Sequence, residues 1–441
     1  MKELFFDLTM QIYGCQVENG NMYVLPPMAQ PRTFEGERIL WILDGHDQKS
    51  VKIECGRYLV ERSEQEVKIC IDGDYQETVF AGLPDCDFLG NQIQIRIDDK
   101  EEFQQTLLQF YWKSLLNECA ERTFMAHDLE WREGYVLSTL QLSKYAGTYP
   151  AVDHEFHIRG RLALGGAFEL EVVRRMMELQ IRTMLTDPSG QYRIPCSVQP
   201  SGEREYHITR KSMDGITEAR MFPYTGIMEL CQEMYDYYCL TNDKAFVIAN
   251  IKHLEDGLRF MEKDIDEAGR LWADVYYEDQ VMKDGTTAQA QAFGVQALEC
   301  MAKLESIAGN DEKAEWYRST SEKMQVNYVK TVPEGFWDPD KGRYVDWIDR
   351  QGEMHDHIHL LANALSVTYD FNDRERDALI YEMIHENDDI FQKFPSYVAA
   401  KIEDYTDTEI GDGGPYDLCA AGRYWCHDAK YRHKIGEVKT L

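Results

Sequence analysis

The most constraining feature of this chain is an abrupt change of period near residue 100. Before it, short apolar and polar residues alternate, as in SVKIECGRYLVE, EVKICIDG, ETVFAG and NQIQIRIDD, with turn residues between the runs. Period-two alternation in short runs predicts strands with one buried face, so residues 1–100 are expected to form a small antiparallel β domain. From EEFQQTLLQFYWKSLLNECAER onward the apolar residues recur every three or four positions, which predicts helices. About twelve windows carry this pattern, near 102–122, 134–145, 154–164, 167–184, 223–240, 243–263, 286–307, 310–330, 355–368, 372–386, 395–404 and 415–428. They fall into pairs joined by tight turns such as LTND, AGND and DFND, whose Asp or Asn can cap the following helix. Helix hairpins in this number close into an (α/α)6 barrel over residues 101–441. The irregular spacing, with long inserts at 185–222 and 264–285, argues against an open solenoid of fixed repeat.

Charge and composition narrow the partners. The 441 residues carry 78 acids against 47 bases, a formal charge of −31, which repels nucleic-acid phosphates and anionic membrane surfaces. Neither partner is expected. No run approaches the roughly 18 apolar residues of a membrane span. The N-terminal MKELFFDLTMQIYG lacks the basic start and sustained apolar stretch of a secretion signal. Eleven scattered Cys without a CxxC pair read as free thiols, and a cytoplasmic location is expected. LALGGAFELE reads as a helix break rather than a phosphate loop, and no cofactor is expected.

Aromatic residues make up 12% of the chain, and many stand beside acids in the loops of the helical part. Sugar sites are built this way, with aromatic faces against pyranose C–H groups and carboxylates accepting from hydroxyls. The acids are Asp128, Glu130 and Glu133 in HDLEWREGY; Asp153 and Glu155 in AVDHEFHIRG; Asp274, Glu278 and Asp279 in RLWADVYYEDQ; Asp338, Asp346 and Asp349 in FWDPDKGRYVDWID; and Glu409 and Asp412 in TEIGDGGPYD. Glycosidic cleavage needs two carboxyl groups, one protonated and one ionised, and loops at one barrel mouth bring distant acids together.

Three ordered blocks resemble the six-hairpin glycosidases, most of all the catalytic domain of bacterial α-L-rhamnosidases. They are QFYWKSLLNECAERTFMAHDLEWREGY; FPYTGIMELCQEMYDYYCLTNDKAF with GRLWADVYY; and GFWDPDKGRYVDWIDRQGEMHDHIHLLANALSVTYDF. The resemblance implies a glycoside hydrolase that cleaves a terminal sugar from a small oligosaccharide or glycoside, with inversion. It makes Glu133 the general acid and Asp128 a carboxylate that grips sugar hydroxyls. Trp131 and Arg132 set their surroundings, and partial desolvation beside Trp131 would keep Glu133 protonated. The base falls to Glu409 or Asp412 in the late loop, where Gly411, Gly413 and Gly414 allow close approach of backbone. Trp272, Asp274, Trp337 and Trp347 are the remaining candidates for substrate contact. The sequence departs from the family where a further acid falls on Leu140 and where Leu129 and Glu130 replace a Cys-Pro.

His355 and His359 in HDHIH are four apart on an expected helix and would face one way, giving a structural pair, a sugar contact at His355, or a metal pair. No Cys pair or HExxH supports zinc, and no metal is expected. The rival readings are a catalytically degenerate carbohydrate-binding barrel, or an unsaturated glucuronyl hydrolase, an epimerase or a lyase on the same barrel.

Overall fold

The computed structural model describes residues 2–6, 11–16, 22–24, 32–34, 38–43, 48–53, 56–62, 67–72, 75–80, 149–164, 167–195, 197–198, 204–206, 208–211, 218–221, 224–273, 281, 283–392, 399–410 and 422–437. Two compact units divide the chain. One comprises Met1–Pro150, His157–Leu179 and Ser197–Arg204, and the other Ala151–Phe156, Gln180–Cys196 and Glu205–Leu441.

In the first unit the alternating segments are strands, β1 (Lys2–Phe6), β2 (Gln11–Gln16), β3 (Met22–Val24), β4 (Arg32–Phe34), β5 (Arg38–Leu43), β6 (Gln48–Ile53), β7 (Gly56–Arg62), β8 (Val67–Asp72) and β9 (Tyr75–Phe80). They form a four-stranded sheet in the order β1-β8-β7-β4 and a five-stranded sheet in the order β3-β2-β5-β6-β9, with every pairing antiparallel. Ile69, Cys70 and Ile71 of the central β8 are all buried, so both faces of that strand are covered. The run NQIQIRIDD lies outside the described residues.

The helices that follow are α1 (Ala151–Leu164), α2 (Ala167–Leu185), α3 (Thr225–Thr241), α4 (Lys244–Glu262), α5 (Ala288–Ala308), α6 (Asp311–Tyr328), α7 (Leu360–Thr368), α8 (Arg374–Glu386), α9 (Asp388–Phe391), α10 (Asp407–Ile410) and α11 (Gly422–Ile435). The tight turns form as their residues require. Asn242 takes a left-handed conformation that ends α3, and the Asp243 carboxylate accepts from Phe246 N at 3.0 Å to start α4. Gly309 ends α5 in the same left-handed region, and Asp373 caps α8 through Arg376 N.

Helix α5 packs on α3, α4, α6 and α7, and α7 packs on α8 and α11. Burial differs within a hairpin: every residue from Leu360 to Val367 of α7 is buried, whereas α8 buries only Ile380 and Ile384. Helices buried all round lose the clean apolar stripe of a surface helix, and here they carry buried amides as well. Gln291 of α5 accepts from Leu271 N at 2.7 Å and donates to Gly269 O and Met324 O. Asn363 of α7 accepts from Tyr344 N at 2.8 Å. Each satisfies backbone groups that the loops leave without a regular partner.

The windows at 154–164, 167–184, 243–263, 310–330 and 372–386 are helical over most of their length, as are 225–240 of the window at 223–240 and 288–307 of the window at 286–307, which opens instead on the strand Thr286–Thr287. The window at 355–368 is not helical throughout, because Met354–His355 pairs as a strand with Trp347–Ile348 and α7 starts only at Leu360. Between them, His359 caps α7 by accepting from Ala362 N at 3.3 Å. Of the window at 395–404, residues 395–398 lie outside the described residues; Ala399 O accepts from Leu360 N and Lys401 N donates to Ile358 O, so residues 399–401 run beside the chain entering α7. The windows at 102–122 and 134–145 lie outside the described residues, as does 415–421 of the last window. No helix among the described residues is long and apolar enough to cross a membrane.

Gly285 precedes the strand Thr286–Thr287, which pairs with Trp347–Ile348. Its φ is +122°, and a Cβ there would lie 2.3 Å from the Ile348 carbonyl oxygen. Gly285→Ala is therefore expected to cost about 1–3 kcal/mol through steric crowding. Urea unfolding would show a lower midpoint at unchanged slope.

Candidate functional site

The site is assembled around one indole. Thr287, Trp347 and His355 are cross-strand neighbours in a small antiparallel sheet, so their side chains project to one face. The His355 imidazole lies flat on the Trp347 ring, with centroids 4.1 Å apart and planes within 5°. The extended chain then alternates. His357 returns to the same side and stacks on Trp347 at 5.0 Å, while Asp356 turns the other way to Arg343, 2.9 Å distant, and Lys341. Tyr405 closes the stack against His357 at 3.8 Å. Trp347, Tyr405, Val281 and Ala400 form a buried apolar cluster, against which Ile410 of α10 packs. That packing sets Glu409 over the two imidazoles.

Alternating charges tie the stack together. The Lys283 ammonium is 2.9 Å from Asp346 Oδ1, both groups being essentially fully buried. Tyr405 donates to Asp346 Oδ2 at 2.6 Å. His357 Nδ1 stands 3.6 Å from that same oxygen, an ion-pair distance rather than a hydrogen bond. On its other side, His357 Nε2 meets Glu409 Oε2 at 3.2 Å. Glu409 Oε1 meets His355 Nδ1 at 2.6 Å, and Oε2 also accepts from Thr406 N at 2.7 Å and Thr406 Oγ1 at 3.0 Å.

Burial alone would raise the carboxyl pKa values. At Asp346 it is outweighed by Lys283 first and by His357, and at Glu409 by the bonds from His355, His357 and Thr406 N, so both stay well below the usual carboxylate range. Burial also acts to lower His357, but Asp346 and Glu409 on its two sides push it up to about 9. His357 is thus an imidazolium at neutral pH, between two carboxylates.

Of the residues expected from sequence, the fold brings Glu409, His355 and Trp347 together. Asp128, Trp131, Arg132, Glu133, Asp274 and Asp412 lie outside the described residues. Trp272 is half-buried in a loop and donates to Asp266 Oδ2 at 3.1 Å. Trp337 sits in a different aromatic group, with Arg376 over its ring at 4.6 Å and Tyr344 edge-on at 5.0 Å. The expected pairing of His355 with His359 on one helix face is replaced by a strand residue and a helix cap. His357 and Lys283 were missed. His357 is legible only in the period-two spacing of HDHIH, and an isolated Lys in QVMKDG carries no pattern.

No protein-family profile matches the sequence, and no curated protein is detectably similar to it. Solved structures with some likeness include a GH78 family rhamnosidase of Bacillus sp. GL1, at 13% identity and a TM-score of 0.45, covering 92% of this chain and 48% of that one. The chain thus spans about half the length of that rhamnosidase. Others are a cellobiose 2-epimerase from Spirochaeta thermophila, at 11% identity and TM-score 0.46, covering 76% and 81%, and a GH63 mannosylglycerate hydrolase from Thermus thermophilus, at 11% and 0.43, covering 72% and 89%. Likeness at this level says nothing of activity.

Removing the cation from a buried pair leaves an uncompensated charge. Lys283→Met is expected to destabilise the protein by about 3–5 kcal/mol, whereas Tyr405→Phe should cost only about 1–3 kcal/mol. Denaturant titration of the two variants checks the order. Equal losses would mean that the ion pair does not dominate.

Proposed function

We propose that this protein is a carbohydrate-active enzyme on an (α/α)6 barrel, with a β domain at its N-terminus, and that it cleaves a glycosidic bond in the manner of the α-L-rhamnosidases. The observation that carries the reading is the meeting of Glu409, His355 and Trp347. A late-loop acid, an aromatic ring and a hydrogen-bonding imidazole, far apart in sequence, occupy one spot, with His355 and Glu409 half-buried rather than sealed in the core. The helix hairpins, with α7 buried throughout and α8 largely exposed, support the barrel.

In this reading Glu133 delivers the proton to the leaving oxygen, and Asp128 and Asp274 bind sugar hydroxyls. Glu409 is the better positioning group than base. Both of its oxygens already accept from protein donors, and a carboxylate whose pKa is pulled far down is a weak proton acceptor. Water activation is therefore assigned to Asp412, while Glu409 fixes His355 against Trp347. Trp337, whose ring is covered by Arg376, is left out of the sugar-binding set. A second reading, epimerisation by proton transfer at a sugar carbon, is favoured by the two imidazoles on one carboxylate.

Aryl glycosides of rhamnose, glucose, galactose, arabinose and glucuronic acid test the first reading. One of them should be hydrolysed, and Glu133→Gln should lower its kcat by about 10²–10⁴-fold. Unchanged turnover in that variant would remove Glu133 from the mechanism. Incubating free reducing sugars in D2O tests the second, since only an epimerase places deuterium at the carbon next to the carbonyl. No turnover of either kind, with sugar binding retained, would leave a binding barrel.

A further inference from the structure

We infer that Asp349, Glu353 and His355 form a binding site for one divalent transition-metal ion, of the Mn²⁺ or Zn²⁺ class. One ligand atom from each of the three side chains lies within 4.8 Å of the others. The loop between the two strands builds this arrangement. Gly352 N bonds to Asp349 O, and Asp349 N bonds to Glu353 O, which folds the loop tightly. Asp349 Oδ1 is taken up by Gln351 N at 2.9 Å and Glu353 N at 2.7 Å. The other oxygen, Oδ2, is turned towards His355 Nε2, 3.7 Å away.

That separation is too long for a hydrogen bond. Metal bonds of about 2.0–2.2 Å to nitrogen and oxygen hold neighbouring ligand atoms roughly 3–3.6 Å apart, so a slight approach of the Asp349 carboxylate would bring both atoms onto one ion. Glu353 is exposed and supplies the third ligand atom within the same 4.8 Å.

The strongest support lies outside the three ligands. A metal-binding His characteristically gives its other ring N–H to a carboxylate, which fixes the tautomer and turns the free nitrogen to the metal. His355 is held in this way. Its Nδ1 is 2.6 Å from Glu409 Oε1, and its ring plane is set by the stack on Trp347. With the proton on Nδ1, the Nε2 lone pair faces the Asp349 carboxylate, and a divalent cation between them would bind both. Two carboxylates and one imidazole are hard to borderline donors, which suit Mn²⁺ and Zn²⁺ rather than soft Cu(I). The inference stands on this geometry alone and does not need the carbohydrate reading. If that reading also holds, open positions on the ion would take sugar hydroxyls.

The experiment uses full-length protein stripped with a chelator and titrated with Mn²⁺, followed by electron paramagnetic resonance of the free ion, and with Zn²⁺ by calorimetry, all without substrate. The expected result is one ion per chain. Glu353→Gln, on an exposed side chain that folding does not need, should weaken binding at least tenfold. Glu409→Gln, two bonds removed from the ion, should weaken it about 10–100-fold. His385→Ala tests the other cluster of ligand-type side chains, His385 with Asp388 and Glu437, and should leave binding unchanged. Failure of either ion to bind in stoichiometric amount, full binding in Glu353→Gln, or loss of binding in His385→Ala would each overturn the site. Sugar turnover plays no part in these readouts, so a failed metal site and a failed enzyme reading are told apart.

Discussion

The buried pair of Lys283 and Asp346 is the interaction on which the candidate site rests. Neither charge could be sealed from water alone, and their 2.9 Å contact, completed by the Tyr405 hydroxyl, makes the burial tolerable. Once Asp346 is held as an anion in the core, His357 beside it is held as a cation, and Glu409 beyond that is held ionised. Trp347 is the neighbour of Asp346 in the chain and supplies the flat surface on which both imidazoles lie. A change at Asp346 therefore reaches Glu409 through two contacts, both made by His357.

Much of the helical part was legible because helix pairs announce themselves at both ends. Asn242 and Gly309 end helices in the left-handed region and Asp243 and Asp373 cap the helices that follow, whereas the Asn310 amide donates back to Glu305 and does not cap α6. The failures have a common cause. HDHIH precedes a strongly apolar run, LLANALSVT, and the helical pattern of that run was extended backwards over five residues that are held instead by pairing with Trp347–Ile348 and with Lys401. A strand of two residues has too little sequence to show its own period, and its partner lies across a loop. Local pattern could name His355 and Glu409 as candidates, but not that they meet, because a contact across 54 positions depends on tertiary packing.

The charges also explain a property of the chain as a whole. A protein at −31 would be expected to keep its acids in water, yet Glu229, Glu233, Glu305 and Asp346 are buried among the helices and loops. Gln180 donates to Glu233 at 3.1 Å, and Asn310 donates to Glu305 at 2.7 Å. Burial raises the Glu305 carboxyl, whereas Asp346, with a lysine and histidines around it, is lowered. At Asp346 the surrounding cations outweigh burial, whereas at Glu305 burial prevails, and the loop at 346 to 357 with the segment at 405 to 409 joins a buried carboxylate to imidazoles that reach towards solvent.

The central claim is that His357 is an imidazolium clamped between Asp346 and Glu409, with Tyr405 stacked on its face. A folded-state pKa above the ordinary 6.5 stabilises the fold fully below pH 6.5 and ceases to do so as the pH rises through about 9. The direct measurement is the titration of the His357 ring nitrogens by ¹⁵N NMR in selectively labelled protein, assigned with a His357→Gln variant. A midpoint close to 9, with both nitrogens protonated at pH 7.5, is the result predicted. A midpoint near 6.5, or a ring neutral at pH 7.5, would contradict the alternation of charge from Lys283 to Glu409.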